Sequence, residues 1–144
     1  MESVRTVFRT MVNVETVLST PFVKTERTEC NVFGIIGFSG ELTGAVTLSF
    51  QLPAAEKLVE AFTGGAIPPD SPHFADAIGE LANMVAGSAK SAMGFTASIT
   101  VPSVVIGDHC QVATPSGMPC VVIPCTTPLG SFAVEVCIKQ KQAN

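Results

Sequence analysis

The chain has 144 residues, a formal net charge of −4 and only eight Lys and Arg, scattered along its length. Hydrophobic residues make up 47% and charged residues 14%, a balance that excludes a disordered chain, and no basic cluster with interleaved aromatics points to nucleic acid. Mean hydropathy is high at +0.44, yet no apolar run approaches the ~18 residues of a membrane span, so the excess is assigned to a buried sheet or a subunit interface.

The length suits a single domain over 1–144 with a core of its own. The first residues, Met1, Glu2, Ser3, Val4 and Arg5, lack the basic and apolar regions of a signal peptide. The expected location is the cytoplasm. The five cysteines form no C-x-x-C pair and read as small buried hydrophobes in a reducing compartment.

Val4, Val7, Phe8, Met11, Val14 and Leu18 keep helical spacing and predict a helix over 3–18, closed by Pro21. The apolar run over 31–38 predicts a buried strand. Ser39, Gly40, Glu41, Leu42, Thr43 and Gly44 turn it into a second strand over 45–50, in which Val46, Leu48 and Phe50 face in and Thr47 and Ser49 face out. Pro53 opens a helix ending near Thr63, with Ala55, Leu58, Val59 and Phe62 on its buried face and Gly64 and Gly65 as its stop.

A stiff Pro-rich connector follows. Asp70 or Ser71 then caps a long helix that has Pro72 in its first turn, runs to about Met93 and stops at Gly94. The remaining candidates are strands over 96–106, 111–113, 120–124 and 132–139, and the tail over 139–144 reads as frayed. Pro102, Pro119 and Pro124 mark strand ends or edges. The order α-β-β-α-α-β-β-β predicts an α+β fold, an antiparallel-rich sheet with helices packed on it.

The long helix has two faces. At roughly 100° per residue, Phe74, Ile78, Leu81, Val85 and Ala89 share one side, and Asp76, Glu80, Asn83, Gly87 and Lys90 fall within an arc of about 80° on the other. The apolar stripe explains docking on a core. The polar stripe is less ordinary, because Gly79 and Gly87 each cost about 1 kcal/mol of helix propensity relative to Ala. A glycine on a helix face lets another backbone or a bulky partner approach.

Glu80 and Asn83 form an E-x-x-N pair whose side chains leave the helix side by side. With Asp76, Gly79, Leu81, Ala82, Met84, Val85, Ala86, Gly87, Lys90 and Ser91 around it, and with Ile99, Thr100, Val101, Pro102, Ser103, Val104, Val105, Ile106 and Gly107 downstream, the chain resembles the CheC/CheX/FliY phosphatases of bacterial chemotaxis, CheX above all. The resemblance spans nearly the whole chain and is loose before about Glu29. It implies a CheC/CheX-like fold, a homodimer, and removal of the phosphoryl group from the phosphoaspartate of a CheY-like response regulator. CheC carries two E-x-x-N helices; this chain has one.

An acyl phosphate on aspartate is labile, so its hydrolysis needs a water held in line and the developing charge stabilised rather than a strong nucleophile. A carboxamide suits this, since it accepts from the water, donates through its NH₂ and carries no charge. The resemblance implies this role for Asn83 and implies that Glu80 pairs with the regulator's active-site lysine. Asp76, Gly79, Gly87 and Lys90 complete the partner-binding face, the glycines keeping the helix surface low. No metal or other cofactor is expected in this chain; Mg²⁺ is expected in the regulator's own acidic pocket.

Other chemistry finds little support. The i,i+4 acid pair Asp76 and Glu80 is an arrangement able to share a cation, and is set aside for want of weight. His73 reads as a surface residue at a helix start, and His109, beside Asp108, as a turn residue. Gly34, Gly37, Gly40 and Gly44 read as hairpin glycines with no following phosphate-loop lysine. Ser88 and Ser91 lack a histidine base. The bland reading of Glu80 and Asn83 is a solvated face, and the rival functional reading is a non-catalytic module that docks or sequesters a receiver domain.

Overall fold

Two long alternating segments form the centre of the sheet, because period-2 burial suits a strand covered by helices on one face. They are β3 (Glu29–Gly40) and β4 (Leu42–Phe50), antiparallel, with Val32 opposite Phe50 and Phe38 opposite Gly44. The computed structural model describes residues 2–24, 29–94, 96–111 and 119–140. Chain order is α1 (Glu2–Val7), a π-helical turn (Phe8–Val12), β1 (Val17–Leu18), β2 (Phe22–Val23), β3, β4, α2 (Leu52–Thr63), α3 (Pro72–Met93), β5 (Ala97–Ile99), β6 (Ser103–Gln111), β7 (Val121–Thr127) and β8 (Gly130–Gln140).

The sheet runs β1-β7-β8-β4-β3-β5, with β2 also on β7 and β6 also on β3, every pairing antiparallel. The expected α+β class holds. So β5 and β6 share one edge of β3 in tandem, where a single strand over 96–106 was expected. Thr100 bridges the break: its N–H donates to the Gly37 carbonyl (3.0 Å) and its hydroxyl accepts from the Gly37 N–H (2.9 Å). The expected strand over 111–113 and the frayed tail lie, past Gln111 and Gln140, outside the described residues.

The helices cover one face. Phe74, Ile78, Leu81 and Val85 of α3 and Ala55, Leu58 and Val59 of α2 pack with Val32, Ile36, Val46, Leu48, Phe50, Phe132 and Val134 of the sheet. Phe132 stacks between Phe8 and Phe50, at centroid distances of 4.6 and 5.3 Å. Fully burying one such side chain stabilises by about 1.5–3 kcal/mol, so this layer dominates the fold's stability.

Further expectations are corrected. The first helix stops at Val12 rather than Leu18. Asn13 takes a left-handed conformation (φ 60°), its N–H donating to the Phe8 carbonyl, and Val17 and Leu18 then pair with Thr126 and Cys125 of β7. Asn tolerates that conformation, and the β-branched Val17 gains more from a ladder than from a helix.

Thr47 and Ser49 do lie on the opposite face of β4 but are buried there, Ser49 to 1% exposure, together with Phe33 and Glu135. Lys24 and Glu135 form an ion pair on that face (2.8 Å) with side chains 6% and 4% exposed.

Cys120 and Cys137, opposite each other across the start of β7 and the end of β8, form a disulfide rather than acting as separate hydrophobes. Cys30 and Cys125 are buried free thiols. Burial pushes the Cys125 thiol up to about 12.

Of the glycines read as hairpin residues, Gly40 (φ 109°) and Gly44 (φ 133°) flank the turn. Gly34 instead lies within β3 under α3. His109 sits within β6, not in a turn, at φ 54° where the register with β3 shifts between Cys30 and Val32.

Candidate functional site on helix α3

The ends of α3 are built as its residues direct. Ser71 is the N-cap, its hydroxyl accepting from the His73 N–H (3.2 Å), and Pro72 occupies the first turn. Gly94 (φ 72°) closes the other end with its N–H donating to the Lys90 carbonyl. Lys90 lies in the last turn, where a cation complements the helix dipole.

The buried stripe is the expected one: Phe74, Ile78, Leu81 and Val85 have no exposure and Ala89 almost none. On the opposite stripe Asp76 and Glu80 are exposed, while Asn83, Gly87 and Lys90 are half-buried. Among the described residues the side chains of Asp76, Glu80, Asn83 and Lys90 make no hydrogen bond or ion pair. Neighbours at i,i+3 stand about 5–6 Å apart at Cβ, so Glu80 and Asn83 offer a carboxylate and a carboxamide side by side.

The helix is seated closely. A Cβ on Gly34 would lie 3.1 Å from both the Ala82 Cβ and the Ile78 Cγ2, so the missing side chain lets α3 descend onto β3 just below the Glu80–Asn83 turn. The two helix glycines differ. Around Gly87 nothing lies within 4 Å of a built Cβ, which leaves that surface open to a partner. Gly79 is buried, and its built Cβ would stand 3.3 Å from Pro102 and 3.4 Å from Val104. Its close approach is to this chain's own β5–β6 link.

That approach makes a cleft of about 420 Å³ beside Glu80, lined by Ala75, Asp76, Gly79, Glu80, Val101, Pro102 and Val104. The structure therefore gathers Asp76, Gly79 and Glu80 at the cleft, while Asn83, Gly87 and Lys90 continue along the helix outside it. Val101, Pro102 and Val104 were not anticipated as site residues. Pro102 as a strand end was the available signal. Among the described residues no three His, Cys, Asp or Glu side chains gather as a metal site, and no helix is long and apolar enough to cross a membrane.

The chain has counterparts among proteins of known structure. No curated protein sequence matches the chain. Among solved structures it is similar to a chemotaxis protein CheX from Desulfovibrio desulfuricans (28% identity, TM-score 0.88, 97% of this chain and 95% of that one). It is also similar to a putative chemotaxis protein from Desulfovibrio vulgaris Hildenborough (29%, 0.87, 96% and 92%). The CheX–CheY–BeF₃–Mg²⁺ complex from Borrelia burgdorferi shares the fold (21%, 0.78, 96% and 94%). The family model described as chemotaxis phosphatase CheX matches residues 32–126, a span from the central strand through α3 to β7, and the chain belongs to that family.

Proposed function

We propose that this chain hydrolyses the phosphoaspartate of a CheY-like receiver, with Asn83 orienting the attacking water and Glu80 pairing with a receiver lysine. The observation that carries the reading is the Glu80 and Asn83 pair, without side-chain partners among the described residues, on one turn of a helix firmly seated on its sheet, in a chain of the chemotaxis phosphatase family. The Borrelia relative in complex with CheY, BeF₃ and Mg²⁺ supports a receiver as partner.

Asn83 suits the water because a carboxamide both accepts and donates without repelling the phosphoryl group. Positioning supplies most of what phosphoryl transfer requires. Glu80, one turn earlier, would be repelled by a phosphoryl dianion and serves better beside an ammonium. The Mg²⁺ belongs to the receiver's acidic pocket, and this chain brings no cofactor.

The same reading places the protein in the cytoplasm with its receiver, as a homodimer. The sheet's outer strands carry exposed apolar side chains, Val17, Phe22 and Val23 toward one side and Val105 and Ile106 toward the other, which suits pairing between copies.

The test follows decay of a phosphorylated receiver from the same genome in excess Mg²⁺, with wild type and Asn83→Ala, and measures binding in the same samples. Accelerated decay that vanishes with Asn83→Ala while binding persists is the expected result. Binding without acceleration would make the protein a docking module.

A further inference from the structure

Next to the Glu80–Asn83 turn stands an apolar wall that the hydrolysis itself does not use. Val101 is 85% exposed. A lone exposed valine is ordinary; this one is held in place from both sides. On one side Thr100 is tied to Gly37 by two hydrogen bonds. On the other, Pro102 rests against Gly79. Val101 therefore projects as a fixed knob at the mouth of the cleft, and Pro102 and Val104 continue the apolar surface inward.

The facing wall is acidic. Asp76 and Glu80 stand one helical turn apart, about 6 Å of rise, and among the described residues no cationic side chain lines the cleft. Gly79, between them, contributes no side chain to block the space. A trough with one apolar and one carboxylate wall matches a long cationic side chain, whose methylene stem packs on apolar surface while its head meets a carboxylate.

We propose that this cleft is the specificity-determining part of the receiver-docking surface: it takes a second lysine or arginine of the receiver, with Val101, Pro102 and Val104 along its stem and Asp76 at its charge. This rests on the receiver-docking part of the proposed function. It adds a contact distinct from the lysine assigned to Glu80, one that selects the partner and leaves the chemical step alone.

The test is steady-state turnover of the phosphorylated receiver by Val101→Ser and Asp76→Asn, with binding of the beryllofluoride-loaded receiver measured by calorimetry. Both side chains are exposed, so unchanged thermal unfolding is expected. Each variant should raise KM and Kd about 10-fold at unchanged kcat, the range of a significant interface contact, and Asp76→Asn should also flatten the dependence of KM on salt. Replacing receiver Lys and Arg residues singly by Ala should reveal one whose effect disappears in the Asp76→Asn background.

Wild-type KM and Kd in both variants, with Asn83→Ala still inactive, would overturn the cleft proposal and leave the phosphatase reading standing. Binding by wild type without turnover would end the phosphatase reading, while a weaker Kd of the variants would still support the cleft. Absence of any receiver binding to wild type overturns both.

Discussion

Gly34 of β3 lies directly beneath Ala82 of α3, so close that a Cβ at Gly34 would stand 3.1 Å from that of Ala82. The contact sets the height of the helix at the turn bearing Glu80 and Asn83. Neither Ala82 nor the helix backbone can swing aside, so Gly34→Ala is expected to act as overpacking and destabilise by about 1–3 kcal/mol. Urea unfolding should show a lower midpoint at unchanged m-value. Turnover in the folded fraction should fall as well, because the pair is lifted off its seat.

Asn83→Asp is isosteric but, on the proposed function, would place a carboxylate against the phosphoryl group. Hydrolysis should drop about 100-fold, in the range seen when one preorganised polar group is removed from a reacting centre. Binding of the phosphorylated receiver should weaken while that of the unphosphorylated receiver stays the same. Equal weakening for both forms would place Asn83 outside the phosphoryl contact.

Lys24 and Glu135 test the far face of the sheet. Lys24→Met removes one ion-pair partner of the buried Glu135 and should destabilise, by up to about 3 kcal/mol. Adding Glu135→Leu should recover much of that loss, since a buried ion pair replaced by apolar side chains of similar size is often neutral or stabilising. Chemical denaturation of the two single variants and the double variant closes the cycle.

His109 supplies the pH prediction. Its ring Nδ1 lies 2.5 Å from Glu29 Oε1. That hydrogen bond and the charge of Glu29 raise its pKa above the ordinary 6.5. A raised folded pKa favours the protonated folded form. Any stabilisation is thus complete below about 6.5 and lost as pH rises through the higher folded value. The pair is exposed, so solvent screens it and global stability should change little. The expected observation is an NMR titration midpoint above 6.5 that returns toward 6.5 in Glu29→Gln.

The ends of α3 were legible because Ser71, Pro72 and Gly94 each do one local job that their chemistry dictates. The strand character of β4 and β8 was legible for a similar reason, since period-2 alternation is local. What stayed hidden depends on partners far away in sequence. Val14 and Leu18 fit a helical spacing, and only pairing of Val17 and Leu18 with β7 decides against it. Thr47 and Ser49 read as solvent-facing because nothing near them announces that their face is covered.

The disulfide was hidden too, since Cys120 and Cys137 are 17 residues apart and meet only through the β7–β8 register. In the candidate site, the place of Glu80 and Asn83 on one turn of α3 could be read from their helix. Val101 and Pro102 could not, because their place beside Glu80 comes from the break between β5 and β6, which the reading of 96–106 as one strand conceals.

That break has an evolutionary consequence. β5 and β6 each keep their own register on β3, one at residues 38–40 and the other at 29–35. Lengthening or shortening the link between them would shift neither ladder. The rim of the cleft is thus a module that can be recut, residue by residue or loop by loop, while the helix beneath Glu80 and Asn83 stays put. On the proposed readings of cleft and helix, a lineage could change which receiver it recognises without renegotiating how it treats the phosphoryl group.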